Sequence, residues 1–293
     1  MKQRHYFMET TDGIRLFVRK WDAVNRADAR IILIHGFSEH SGRYKPWAER
    51  FAAENISVLT VDLRGHGQSQ GIRGHTPGFK RLLLDLDQLM EEHPAPANTP
   101  TFIYGQSLGG GIVINYGLTR RDGYEGIIAT SPWLRLSTEP KAFALLLSRG
   151  LKIIAPRAVR NSKLNINYLS HDPEVIKRYE HDPLTHRQIT PHLFFGARKA
   201  GLYALHNAHK LNKPLLLMHG TGDKITSLKA SEQFVQKAQK HHKDVRFIRW
   251  PELYHELHQE KQKDRVFQTI LQWLKEKTKN SQTHEHLQNT RSH

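Results

Sequence analysis

Cysteine is absent from the 293 residues. That removes a disulfide framework and any thiolate metal site. Long apolar runs are missing as well. The longest unbroken one is Ala142 to Leu147, far short of the roughly 20 residues that a membrane-spanning helix needs. The stretch before residue 31 holds Lys2, Arg4, Glu9, Asp12, Arg15, Arg19 and Lys20 without an apolar core, so it is not expected to act as a secretory signal. Acidic residues are scarce relative to basic ones: 28 Asp+Glu stand against 44 Lys+Arg, a formal net charge of +16, with 20 histidines besides. Such a balance favours anionic partners but carries no information about fold. No nucleic-acid motif and no basic stretch interleaved with aromatics accompanies it, so the charge reads as a basic solvated surface and nucleic acid is not an expected partner.

What is present is a rhythm. Ile31 to Ile34, Ile56 to Val61, Thr101 to Tyr104, Ile127 to Ala129, Leu215 to Met218 and Val245 to Trp250 are short apolar, β-branched runs, as expected of strands buried on both faces. Ile14 to Val18 alternates with arginines and reads as a half-exposed strand. Helical spacing lies between and after them, in Phe79, Leu82, Leu83, Leu86 and Met90, and again in Phe267, Ile270, Leu271 and Leu274. Alternating strands and helices with continuously apolar strands predict a mostly parallel, doubly wound α/β sheet over residues 1–279. The rhythm stops at about 132–211, which reads as a helical insertion. Within it, Pro140 to His171 contains Lys141, Arg149, Lys152, Arg157, Arg160 and Lys163 but no acid, and Phe143, Leu146, Leu147, Leu151 and Ile154 share one helical face. A basic amphipathic helix of this kind suits an anionic membrane surface, and equally an ordinary helix resting on the body. Residues 280–293 are polar and read as a disordered tail.

Two stretches fit Gly-x-Ser-x-Gly, at Gly67 to Gly71 and at Gly105 to Gly109. The motif matters because a sharp turn from strand to helix lifts the serine hydroxyl above the sheet, and small flanking residues permit that backbone. Ser107 directly follows the strand at Thr101 to Tyr104 and precedes a helix candidate beginning at Leu108. Ser69 runs instead into Ile-Arg-Gly-His-Thr-Pro-Gly, which cannot be helical. Ser107 is therefore the candidate nucleophile. A serine needs a base, usually a histidine oriented by a carboxylate. Asp223 lies just past the run Leu215 to Met218 and His255 just past Val245 to Trp250, giving the order Ser107, Asp223, His255. This is the chain order of α/β-hydrolase triads. His258 competes as the base and Glu256, more weakly, as the acid. For the developing oxyanion the candidate donors are the backbone N–H groups of Leu108 and, in the loop His35-Gly36-Phe37-Ser38, of Phe37. Gly65-His66-Gly67 with Gly71 places its third glycine one residue late for a dinucleotide fingerprint, and His255 and His258 are three apart rather than the four of the zinc motif. No metal and no cofactor is expected.

These residues resemble a family, the α/β-hydrolases of the monoacylglycerol lipase and lysophospholipase type, which also includes serine aminopeptidases. The resemblance rests on His35-Gly36-Phe37-Ser38-Glu39-His40-Ser41-Gly42-Arg43-Tyr44, on Asp62 to Ser69, on Gly105 to Gly110, on His219-Gly220-Thr221-Gly222-Asp223 and on Tyr254-His255-Glu256-Leu257. It implies a Ser107–Asp223–His255 triad, an oxyanion hole at Phe37 and Leu108, a cap over the site that coincides with the insertion, and a structural role for the loop carrying Ser69. Two positions depart from the family pattern: Ser38 stands where glycine is common and Gln106 where histidine is common. The resulting expectation is a cytoplasmic serine esterase acting on a single-chain acyl ester, with peripheral contact to anionic membrane through the basic cap. A peptidase or small-molecule esterase on the same scaffold, and a catalytically silent binding protein, are the alternatives.

Overall fold

The computed structural model describes residues 3–139, 155 and 157–289, with side chains described as far as residue 279. The central sheet has eight strands in the order β1-β2-β4-β3-β5-β6-β9-β10. They are β1 (Gln3–Glu9), β2 (Arg15–Trp21), β3 (Ala29–Ile34), β4 (Ile56–Val61), β5 (Thr101–Gln106), β6 (Gly126–Thr130), β9 (Leu215–Gly220) and β10 (Val245–Trp250). β1 pairs antiparallel with β2, and β2 antiparallel with β4; every other neighbouring pair is parallel. The apolar runs expected to be strands are strands. β3, β4, β5, β6 and β9 are buried along their entire length, as a sheet covered on both faces requires.

Period-two alternation sorts the strand side chains into two cores. Ile32 and Ile34 of β3 face one, Ile31 and Leu33 the other. Helix α1 (Lys45–Ala53) and the last helix α7 (Lys263–Asn289) close one face through Trp47, Phe51, Phe267, Ile270 and Trp273. Helices α2 (Phe79–Glu92), α3 (Leu108–Thr119), α5 (Pro191–Asn207) and α6 (Leu228–Gln239) close the other through Leu82, Leu86, Ile112, Leu193 and Phe234. Between β6 and β9 the described chain holds a two-stranded ribbon of β7 (Arg160–Asn161) and β8 (Gln188–Ile189), helix α4 (Pro173–His181) and helix α5. Asp172 and Thr190 cap α4 and α5, each with proline at the first helical position, a start signal written in the sequence. α5 packs on α3 and α2. Its Gly201 lies so close to the Leu134 carbonyl that a Cβ would sit 2.1 Å from the oxygen.

Three features differ from the sequence reading or fall outside it. β1 went unread because its residues are mostly polar and only Met8 is buried, which is the pattern of an edge strand rather than a core one. The amphipathic helix expected across Phe143 to Ile154 lies outside the described residues. The backbone of residues 280–289 continues α7 where composition suggested a disordered tail. Gln282, Glu285, Leu287 and Gln288 are adequate helix formers, and extending a helix already nucleated on a packed face needs no apolar stripe.

Trp273 is fully buried and meets Phe102 edge-on at 5.7 Å between ring centroids. Trp273→Ala is expected to lower unfolding stability by about 3–5 kcal/mol, measured as a lower urea midpoint with an unchanged slope.

Candidate active site

The site collects at the carboxyl ends of β3, β5, β9 and β10. β5 passes into α3 through one residue, Ser107, whose φ of 53° and ψ of −114° place it in a backbone region that side chains rarely adopt. Two glycines make that turn possible. A Cβ on Gly105 would lie 2.2 Å from the Gly109 carbonyl oxygen, and one on Gly109 would lie 2.1 Å from that of Ile34. The Ser107 carbonyl accepts from Gly111 N at 2.9 Å and Trp133 N at 2.8 Å, and Ser107 N donates to Thr130 O at 3.0 Å. Leu108 opens α3, so its N–H belongs to the first turn, whose amides have no partner within the helix.

The other serine of the motif pair is placed differently. Ser69 is fully buried; its hydroxyl donates to the Asp62 carbonyl and accepts from Phe17 N. It ties a loop to β2, and neither hydrogen bond of its hydroxyl goes to a histidine side chain.

Asp223 follows β9 on a tight loop. Its Oδ1 accepts from Ile225 N at 2.7 Å and Thr226 N at 3.0 Å, and its Oδ2 lies 2.8 Å from His255 Nδ1 and 2.8 Å from Thr226 Oγ1. Burial pushes this carboxyl up, but the attraction of His255 and His219 and the hydrogen bonds it accepts overcome that and hold it far below the usual carboxylate range. Conversely, burial disfavours the His255 imidazolium, and Asp223 more than compensates, so His255 is raised above its ordinary value. The carboxylate also fixes the ring: with Nδ1–H committed to Asp223, the free Nε2 is the atom able to take a proton. Glu256 and His258, the rivals for acid and base, are placed elsewhere. Glu256 is bidentate to Arg43 at 2.6 and 2.7 Å. His258 stacks on Tyr44 at 4.4 Å, and burial pushes it down to about 3.

The loop after β3 lies against the elbow. A Cβ on Gly36 would meet Ser107 Cβ at 3.2 Å and Gln106 Oε1 at 2.5 Å. Gly36 N donates to Glu39 Oε1 at 2.6 Å, and Arg43 bridges Glu39 to Glu256. The chain segment carrying Phe37 is thereby tied to the loop carrying His255. Gln106, a departure from the family pattern, spans the same gap: its Nε2 donates to His255 O at 3.4 Å.

Several participants escaped the sequence reading. Thr226, besides its contact with Asp223, places Oγ1 3.3 Å from His255 Nδ1. His219 is fully buried, takes Ser231 Oγ at Nδ1 at 2.9 Å and brings Nε2 within 3.1 Å of Asp223 Oδ2, an electrostatic contact too poorly aligned for a hydrogen bond. Nothing local in sequence marks either residue as a neighbour of Asp223 in the folded site. Among the described residues no group of three His, Cys, Asp or Glu could hold a metal ion, and no helix is long and apolar enough to cross a membrane. A cleft of about 560 Å³ lined by Arg30, Met90, Thr101, Tyr116 and Tyr124 opens at the amino ends of β3 and β5, the opposite end of the sheet from Ser107.

Comparison with known proteins shows the family. The model of a hydrolase family described as serine aminopeptidase, S33, matches residues 25–262. A monoacylglycerol lipase of Mycolicibacterium smegmatis is 29% identical over 89% of this chain and 93% of its own length. An abhydrolase domain-containing protein of Dictyostelium discoideum is 33% identical over 93% of this chain, which spans 29% of that protein's length. The crystal structure of Paleococcus ferrophilus monoacylglycerol lipase superposes with a TM-score of 0.83 and 31% identity, covering 89% of this chain and 99% of that one.

Three buried histidines and the half-buried His186 bear on acid stability. Burial pushes His35 and His186 down to about 4 and His258 to about 3, and holds His66 well below its ordinary value. Each is neutral in the fold, while the unfolded chain takes up its proton near pH 6.5. Their contribution is complete above that pH and is lost as pH falls from about 6.5 towards 4. His255 runs the other way, but it is one residue against four. Melting temperature is expected to drop steadily between pH 7 and pH 4.5, as read by circular dichroism; a flat profile would contradict this account.

Proposed function

We propose a function from one premise, that this chain belongs to the serine aminopeptidase (S33) family of α/β-hydrolases: it hydrolyses the carboxylic ester of monoacylglycerols through an acyl-enzyme on Ser107. The observation that carries the reading is the pairing of His255 Nδ1 with Asp223 Oδ2 at 2.8 Å, in a chain whose Ser107 occupies the strained strand-to-helix turn. His255 Nε2 takes the Ser107 proton as Oγ attacks the ester carbonyl. Asp223 holds the ring and stabilises the imidazolium that forms. The N–H groups of Phe37 and Leu108 receive the oxyanion. His255 then gives its proton to the departing glycerol oxygen, and water, deprotonated by the same histidine, releases the fatty acid and restores Ser107.

Monoacylglycerol is the substrate class carried by the Mycolicibacterium and Paleococcus relatives, both monoacylglycerol lipases by name. The acyl chain is delivered from a membrane surface through the basic cap. Support comes from its described part, where Arg157, Val159, Arg160 and Lys163 are exposed together with no acid among them. Cationic side chains beside an apolar one suit an anionic bilayer interface.

Purified protein should release oleate from monooleoylglycerol, and Ser107→Ala should lose at least about a thousandfold of that rate while keeping its melting temperature. Preference for lysophosphatidylcholine would move the substrate class. Release from neither, or full activity in Ser107→Ala, would overturn the proposal.

A further inference from the structure

Ser38 presents a puzzle of local energetics. Its φ is +71°, a left-handed conformation that glycine adopts freely and a serine adopts at a cost. A hydroxyl kept at such a position must return something. The contacts of Ser38 come from the insertion rather than from the sheet. Tyr179, buried in α4, places its hydroxyl 2.9 Å from Ser38 O and 2.8 Å from Ser38 Oγ. The carbonyl can only accept, so the phenolic proton goes to it and the serine hydroxyl donates back to the phenol oxygen. His186 N adds a second donor to Ser38 O at 3.3 Å. Two further contacts seat the same loop under the insertion. His40 Nε2 lies 2.9 Å from Asp182 Oδ2, one residue past α4, and the Phe37 ring packs edge-on against His186 at 5.9 Å.

The consequence concerns the peptide between Gly36 and Phe37. At its start, Gly36 N is held by Glu39 Oε1 at 2.6 Å; beyond its end, Ser38 is held by Tyr179. These two ties fix the backbone on either side of the Gly36–Phe37 peptide and so restrict the directions its N–H can take. We infer that Tyr179 is a positioning residue: through its paired hydrogen bonds to Ser38 it fixes the Phe37 N–H in the direction of the nascent oxyanion, making the oxyanion hole complete only when α4 is seated. This rests on the function proposed above. It gives Ser38 its reason, since a glycine here would relieve the backbone but leave half of the latch unmade. Tyr179 stays protonated, and so able to donate, across the working pH range, because burial pushes its phenol well above its ordinary value.

The test compares wild type with Tyr179→Phe, Ser38→Gly and the double variant, reading kcat and KM on a soluble p-nitrophenyl ester, affinity for an alkyl trifluoromethyl ketone, and melting temperature. The ketone forms a hemiketal oxyanion on the nucleophilic serine and so reports on the hole directly. Tyr179→Phe should reduce kcat by about tenfold to a hundredfold, the scale of a misplaced transition-state contact, and weaken the ketone in proportion, with KM changed less than about threefold. Ser38→Gly should lose less. The double variant should be no worse than Tyr179→Phe alone, because both changes break the same latch. Unchanged kcat and ketone affinity in Tyr179→Phe would overturn the inference, as would a rise in KM alone, which would make Tyr179 a substrate contact. If Tyr179→Phe does not fold, Ser38→Gly must show the loss in kcat and in ketone affinity, and its absence there overturns the inference equally. A wild type that neither turns over ester nor binds the ketone would bring down the serine-hydrolase reading itself, and the inference with it.

Discussion

The site depends on a chain that must reverse from strand to helix within a single residue. β5 is central and buried on both faces, so its end cannot be extended outward. α3 must instead begin at once and lie back across β5 and β6. That is sterically allowed only because Gly105 and Gly109 have no side chains: a Cβ at either would fall little more than 2 Å from a backbone oxygen. The strain collects at Ser107, with φ at 53°. The surrounding close packing holds it there, because any relaxation would push a helix into the sheet. The same turn that raises the hydroxyl leaves the Leu108 N–H without an intrahelical partner. One backbone constraint therefore positions both the proposed nucleophile and one proposed oxyanion donor.

Around that turn, charge is organised in pairs that cross between loops. Asp223 and His255 come from the ends of adjacent strands β9 and β10, and each shifts the other's proton affinity towards the charged form. Arg43 lies between Glu39 and Glu256, with all three side chains buried. A buried charge without its partner is costly, so Arg43 and its two carboxyl partners resist any separation of the loop after β3 from the loop carrying His255. The insertion adds a third tie. His255 N donates to Tyr168 O and Glu256 N to Leu169 O, while Glu260 accepts from His171 and from Tyr254 N. The described part of the insertion thus braces both halves of the site.

Much of this was legible in the chain. Strands buried on both faces need no alternation, so Ile31 to Ile34 and Leu215 to Met218 stood out as uninterrupted apolar runs. The glycines of the elbow announced a backbone that only they permit, and Ser107, Asp223 and His255 each follow the carboxyl end of a strand, β5, β9 and β10. What stayed hidden depends on pairings between distant residues. Thr226, His219 and Tyr179 touch the site only through folding, and a threonine, histidine or tyrosine at those positions looks ordinary in sequence. Ser38 could be seen to depart from the family pattern, but its reason lies 141 residues away in Tyr179. β1 was missed because an edge strand, with one side open to solvent, is under no pressure to be apolar.

On this mechanism Ser107, and not the second serine in the same local motif, is the nucleophile. Reaction of the purified protein with an alkyl fluorophosphonate, followed by peptide mapping, tests it most directly. A single phosphonylated peptide containing Ser107 is expected, with no label on the peptide containing Ser69 and none anywhere in Ser107→Ala. Label on another residue, or a protein that stays unmodified at neutral pH, would contradict it.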